Sequence, residues 1–535
     1  MNRRSFLARA SSSTPHATAA ALLPEPVPLN ISAGLEPHLA PLDQPHAAHL
    51  LRRTGFGVSL DRLDESVGQP AATVAAQLVK EAVGAALPEP PGWIDEVPPP
   101  GNAPREERQE YNRNNRTWRN EWIATWFAEM HRLGLRERMT LFWHNHFVTE
   151  YRTYSSAPFA YRYVTLLRTH ALGNFKDLVR AIGTEAAMLL YLNGAQNRVG
   201  APNENYGREL LELFTMGPFD GQGNENYAQE DIEEIARALT GWVVRRRELA
   251  VLFRPGRHDD GEKTFFGRTG PWGYDDAIDI LFEERADKIA EFIARKLYSA
   301  FIYVAPDEAL VADLAQIFLD NDFEIAPVVS ALLGSAHFFD EQVMGARVKS
   351  PAEMLVGLIR DLDAAPAPRV INNLRRFSLN LDQSVLNPPN VAGWPGHRTW
   401  LTTTTFVQRW NYAGRLLRNL DRDDALDLTT LATRLHDPTD ALAAFTLPVA
   451  LAQHLLSVPL DLLDLPTANV AFAGDLINNP IPSEIENGPA YVRNLTKLFL
   501  AGVPWYEWSL DAANAHRHLR DYIAALTLVP EFQLT

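Results

Sequence analysis

The chain has 535 residues, of which 46% are hydrophobic, and carries a formal charge of −16 at neutral pH. Such a length holds one large helical domain with appended subdomains, or two domains. The acidic balance excludes a general nucleic-acid binder and an electrostatic hold on anionic membranes, both of which need basic stripes. There is no cysteine, which removes disulfides, thiolate catalysis, iron–sulfur clusters and Cys-ligated zinc together.

In chain order, Asn2-Arg3-Arg4-Ser5-Phe6-Leu7 matches a twin-arginine export signal, and Ala17-Thr18-Ala19 fits a cleavage step. Ser11 to His16 interrupt the apolar stretch such a signal carries. Residues 1–40 therefore read as an export leader or a disordered tail. The expected location is periplasmic or secreted, with a cytoplasmic protein as the alternative. No apolar run reaches the roughly 18 residues of a transmembrane helix.

Helical periodicity starts at Pro45–Arg53 and opens a main helical domain expected over 41–420. The Pro-rich stretch Leu87–Pro104 is a surface connection, followed by a long polar helix from near Arg105. In that helix Trp118, Trp122, Trp126 and Phe127 form a stripe read as core. Residues 134–243 hold three or four helices. Residues 244–270 read as a β-hairpin or extended excursion with a charged tip at His258-Asp259-Asp260-Gly261. Helices resume from Asp275 to about Arg360. The run Asn387-Pro388-Pro389-Asn390 with Gly393-Trp394-Pro395-Gly396 is a loop of definite path, because Pro fixes φ and Gly permits positive φ. Residues 421–535 are expected to form a helical cap or subdomain. The fold class is mainly α, a large multi-helix domain with one small β excursion.

The candidates for chemistry lie on three segments. At about 100° per residue, His144 and His146 stand far apart around a helix and cannot both face one site. His146 falls on the apolar face, as a satisfied core histidine or as a ligand or general base. Glu209 falls inside the apolar arc of the helix Asn203–Gly217, where a carboxylate is costly unless paired. It is either a structural partner of Arg237 or Arg295, or an acid, base or metal ligand, with Arg237 as a further catalytic candidate. Glu233 and Arg237 are spaced as an i,i+4 pair. Trp242 after Gly241 walls a pocket. Trp394, His397 and Trp400 either stack a sugar ring or form a rigid packing loop. If the 244–270 excursion folds over the helices, His144 or His146 with Glu209, His258 and Asp259 make a site for one divalent metal ion.

Seven segments resemble, in order, the bacterial family catalogued as domain of unknown function 1800. They are Glu137–Phe147, Asn203–Gly217, Asp231–Trp242, His258–Gly267, Ala294-Arg-Lys-Leu297, Pro389–Trp394 and Pro530–Leu534. The resemblance implies no catalytic residue, since the family's activity is not established. It implies twin-arginine-type leaders and a gene neighbourhood shared with an exported sulfatase-like family. No phosphate loop, dinucleotide fingerprint, Gly-x-Ser-x-Gly elbow or His-Glu-x-x-His helix is present. The expected function is an exported enzyme, hydrolase-like and metal-assisted, acting on an envelope polymer such as a polysaccharide. The alternative is a non-catalytic envelope binding or assembly protein working with a sulfatase-like partner.

Overall fold

The computed structural model describes residues 26–467 and 469–535. The leader motif at Arg3-Arg4 and the step at Ala17-Thr18-Ala19 lie outside the described residues. Helix starts follow the capping signals of the sequence. Asp43 accepts a hydrogen bond from the His46 amide at the head of α1 (Gln44–Thr54), with Pro45 in the first turn. Pro104 precedes α2 (Arg105–Leu133), whose first half lies in solvent, while Trp122, Trp126 and Phe127 are buried further along. Gly134, at φ +56°, breaks the chain between α2 and α3 (Leu135–His146).

The helix α3 is buried on nearly every side, including Arg136, Glu137, Arg138, Thr140, His144 and His146. Its polar face is therefore inside the protein, and each charge on it needs a partner. Glu137 receives Arg168 of α4 (Ala157–Thr169) through two bonds of 2.6 and 2.9 Å. Further on, α5 starts at Asn205–Glu209 and widens into a π-helical turn over Leu210–Thr215, followed by α6 (Gln229–Ala238).

The expected single excursion is two separate antiparallel hairpins. Strands β1 (Trp242–Arg245) and β2 (Ala250–Phe253) pair with Trp242 opposite Phe253 and Arg245 opposite Ala250. Strands β3 (Lys263–Phe265) and β4 (Arg268–Gly270) pair with Lys263 opposite Gly270. A single helical turn at Pro255–Arg257 ends the first hairpin, so His258 sits between the hairpins and not at a tip. Then come α7 (Ala286–Phe301), α8 (Pro351–Asp361) and α9 (Thr403–Arg422). The last of these runs through the boundary expected near residue 420. Leu428, Phe445, Phe499, Leu519 and Phe532 share one continuous hydrophobic core with Leu50, Trp126 and Leu355. Among the described residues no helix is long and apolar enough to cross a membrane.

The end of the described chain is stitched to its beginning. Leu534 bridges Val348 in antiparallel fashion, and Arg347 and Thr535 exchange backbone hydrogen bonds of 3.1 and 2.8 Å. Arg53 of α1 is fully buried and donates to four carbonyls, those of Phe301, Ile302, Val343 and Thr535, at 2.7–3.0 Å. One guanidinium thus ties α1, the end of α7, the 335–350 segment and the last residue. Replacing Arg53 with Met orphans these acceptors. Charge-assisted bonds contribute roughly 1.5–3 kcal/mol each, so a urea melt is expected to show a loss of at least about 3 kcal/mol. A loss below about 1 kcal/mol would contradict this role.

Candidate functional site

The His-Asn-His segment closes α3, and its three side chains do three different things. His144 is fully buried; its ring stacks on Trp394 at 5.6 Å, lies edge-on to Trp126, and its Nε2 accepts the Leu386 amide at 3.3 Å. Burial holds its pKa down at about 3, so it is a neutral strut. Asn145 grips the backbone of Trp394 with both ends of its amide, its oxygen accepting from the amide at 2.7 Å and its nitrogen donating to the carbonyl at 3.2 Å. His146 points elsewhere, among Trp143, Phe147, Phe175, Phe214 and Phe292.

The Nε2–H of His146 donates to the Phe214 carbonyl at 2.9 Å. That carbonyl lies at the end of the π turn, and its regular helical donor would be residue 218, which is Pro218 and has no N–H. The histidine therefore satisfies a carbonyl that the sequence Gly217-Pro218 leaves open. Burial and the neighbouring Lys296 charge keep His146 neutral.

The loop 393–400 arrives against α3 only because residue 393 is glycine. Its φ is +83°, and a Cβ there would meet the Asn145 Oδ1 and O at 2.4 and 2.5 Å. After Gly396 the chain holds His397 at φ +50°, a left-handed conformation unusual outside glycine. Its ring lies edge-on to Tyr303 at 5.5 Å, and burial together with Arg398 and Arg347 lowers its pKa to about 4.

Between α3, α7, the head of α8 and this loop lies an open cavity of about 380 Å³. Three cations line it, Arg138, Lys296 and Arg347, against one carboxylate, Glu353. Glu353 also completes the N-terminal capping box of α8, accepting the Ser350 amide at 2.7 Å. Its Oε1 pairs with Arg138 and stands 3.9 Å from Arg347 Nη1. Burial alone would raise this carboxyl, but Arg138, Arg347 and the Ser350 bonds outweigh it and hold it at about 2. Arg347 Nη1 and His397 Nε2 are buried with no hydrogen-bond partner among the described residues. Burial lowers the Lys296 amine to about 8, and its ammonium lies 4.9 Å from the Phe292 ring.

The expected site residues divide into two groups. His146, Trp394 and His397 line this one cavity, and Trp400 joins them. Trp394 and Trp400 keep only 6% and 7% of their surface, because Trp394 packs on His144 and both pack with Val348, so neither presents a free ring face. Glu209, Trp242, His258, Asp259 and Arg237 do not line it. Glu209 is half-buried, and its charge bears on Tyr191 and Tyr227. Arg237 grips Asp259 through bonds of 2.8 and 3.1 Å and pairs with Glu234, not Glu233, while Arg295 pairs with Glu291 and Glu308. The Asp259 carboxyl is held at about 2 by Arg237, and His258 Nδ1 lies 3.0 Å from the Thr240 carbonyl. This group clasps the second hairpin to α6. Trp242 packs on Phe253 and Tyr274. Among the described residues no three His, Asp or Glu side chains come together as a metal ion would need, so His144, His146, Glu209, His258 and Asp259 do not form one centre.

Sequence reasoning missed Arg138, Lys296, Arg347 and Glu353 as site residues. Two of them had a local signal. Arg138 adjoins Glu137 on a helix with an otherwise apolar face, and Lys296 lies in the Ala294-Arg-Lys-Leu297 segment.

A family model described as "Protein of unknown function (DUF1800)" matches residues 49–534. The chain belongs to that family. No curated protein and no solved structure matches it. In this DUF1800 member the matched span contains every residue that lines the cavity.

The buried neutral histidines make stability depend on pH. Unfolded histidines take up protons below about pH 6.5, whereas His131 and His144 resist to about 4 and 3, and His49 and His146 are also held low by burial. The unfolded state then binds more protons, so stability falls as pH drops below about 6.5. Urea midpoints are expected to decline from pH 7.5 to 5, and His144→Gln to flatten that slope. Midpoints independent of pH would contradict the neutral assignment.

Proposed function

We propose that the chain is an exported envelope protein that binds a polymer segment, such as a polysaccharide, in the cavity beside His146 without hydrolysing it. One observation carries this reading. Segments far apart in the chain, at 138–146, 296–300, 347–353 and 392–400, converge on one open cavity, and the segment 530–535 braces its back through Val348 and Lys349. Open clefts of several hundred Å³ with a few convergent polar groups are the usual form of a ligand site.

The chemistry of the lining favours holding over cleaving. Its one carboxylate is committed to Arg138 and Arg347 and stays charged, so it offers no proton, and hydrolysis of a glycosidic bond ordinarily needs a carboxyl pair. His146 has its Nε2–H committed to the Phe214 carbonyl. The Arg3-Arg4 motif and the family resemblance support the export part of this reading, and the resemblance is the ground for proposing a sulfatase-like partner.

Ser299 lines the cavity from α7. Ser299→Trp fills the space and is expected to abolish retention on immobilised envelope polysaccharide from the native host, with Tm within about 2 °C of wild type. Wild-type protein is expected to release no soluble fragments on prolonged incubation. Fragment release, or full retention of the Ser299→Trp protein, would overturn the reading.

A further inference from the structure

The cavity is short of negative charge. Arg138 and Arg347 share Glu353, which leaves Lys296 uncompensated within the lining. Among the described residues no ion pair or hydrogen bond engages the Lys296 ammonium; its near neighbour is the face of Phe292 at 4.9 Å. The shell behind the lining adds to the imbalance. Lys349 is buried and donates to the Phe532 carbonyl at 2.9 Å, and Arg409 is fully buried and donates to Gln533 Oε1 at 2.6 Å and to the Lys349 carbonyl. Arg53, deeper still, donates through both terminal nitrogens to carbonyls alone. The hydrogen bonds of these three cations go to neutral acceptors, and the carboxylates that bear on them are Glu353 and Asp361, the latter already paired with Arg52; a buried cation short of a counter-ion is costly.

Two polar atoms at the cavity wall also make no hydrogen bond among the described residues, although the first, on Arg347, stands 3.9 Å from Glu353. Arg347 Nη1 and His397 Nε2 are buried without a hydrogen-bond partner among the described residues. His397 is held there in a strained left-handed backbone conformation, and such strain collects where a side chain must be aimed at a ligand. A guanidinium and an ammonium lining one cavity are the groups that recognise carboxylate, phosphate or sulfate oxygens.

We propose that this cavity is an anion site, in which Lys296 and Arg347 hold the carboxylate, phosphate or sulfate ester group of an acidic ligand and His397 adds a further hydrogen bond. The proposal rests on the binding reading above and narrows it to acidic polymers. Arg138 stays on Glu353 and positions the site; the charge of the ligand replaces the missing counter-ion. The apolar wall from Phe142 and Val304 takes the uncharged part of the ligand.

The test uses the full chain and small probes: glucuronate against glucose, and inorganic phosphate and sulfate, each by calorimetric titration at low ionic strength. Lys296→Met keeps the stem of the side chain and removes the charge, and Lys296→Arg restores it. Saturable binding of glucuronate with glucose at least tenfold weaker is expected, with a further tenfold loss in Lys296→Met and recovery in Lys296→Arg. Stronger binding of the inorganic anions than of glucuronate assigns the site to a phosphate or sulfate ester; the reverse assigns it to a uronic acid. Equal binding of glucuronate by wild type and Lys296→Met, or equal binding of glucose and glucuronate, would overturn the anion site. The two readings fail separately. Retention of envelope polysaccharide that Lys296→Met leaves intact sinks the anion site alone, and Lys296-dependent anion binding without polymer retention sinks the polymer reading alone.

Discussion

A single buried carboxylate, Glu353, organises the centre of this protein. It caps α8, neutralises Arg138 of α3 and faces Arg347, so one negative charge ties α3 to the 347–353 segment, two stretches far apart in sequence. Around it the cations outnumber the anions, and backbone carbonyls take up much of the remainder. That is why the last residues matter. The Phe532 carbonyl accepts from the Lys349 ammonium, that of Gln533 from the Lys349 main-chain amide and that of Thr535 from Arg53, so the C-terminal segment braces the cavity from behind.

The second constraint is steric. Asn145 holds Trp394 by its backbone, His144 holds it by its ring, and only glycine fits at 393. The loop is thereby fixed against α3, and the direction of His397 follows from the Gly396 turn. His146 is released from that task and joins the far side of the helix to the Phe214 carbonyl. One tripeptide thus couples the loop, the cavity and the π turn.

The sequence made some of this legible and hid the rest for physical reasons. The split between His144 and His146 follows from helical geometry alone, and it holds: the two rings have separate surroundings. The rigid path of 387–396 follows from its Pro and Gly content, and the aromatic stripe of α2 was readable as core. Glu209 misled because its helical wheel assumes a regular helix, whereas the chain becomes π-helical from Leu210 onward, so angles counted through that turn do not place a face. His258 and Asp259 looked like ligands because loop acids beside a histidine often are; Arg237, 22 residues away, claims Asp259 instead, and the His258 ring lies against the Thr240 carbonyl. The cation surplus could not be read at all, since Arg138, Lys296 and Arg347 acquire meaning only when the fold brings them to one wall.

The central claim is that ligand engages the wall built from 138–146, 296–300, 347–353 and 392–400, and not the Glu209 or His258 regions. Hydrogen–deuterium exchange of the full chain with and without a saturating acidic polysaccharide tests it most directly. The account predicts added protection in those four segments, with 205–215 and 258–264 unchanged. Protection confined to 205–215 and 258–264 would contradict it.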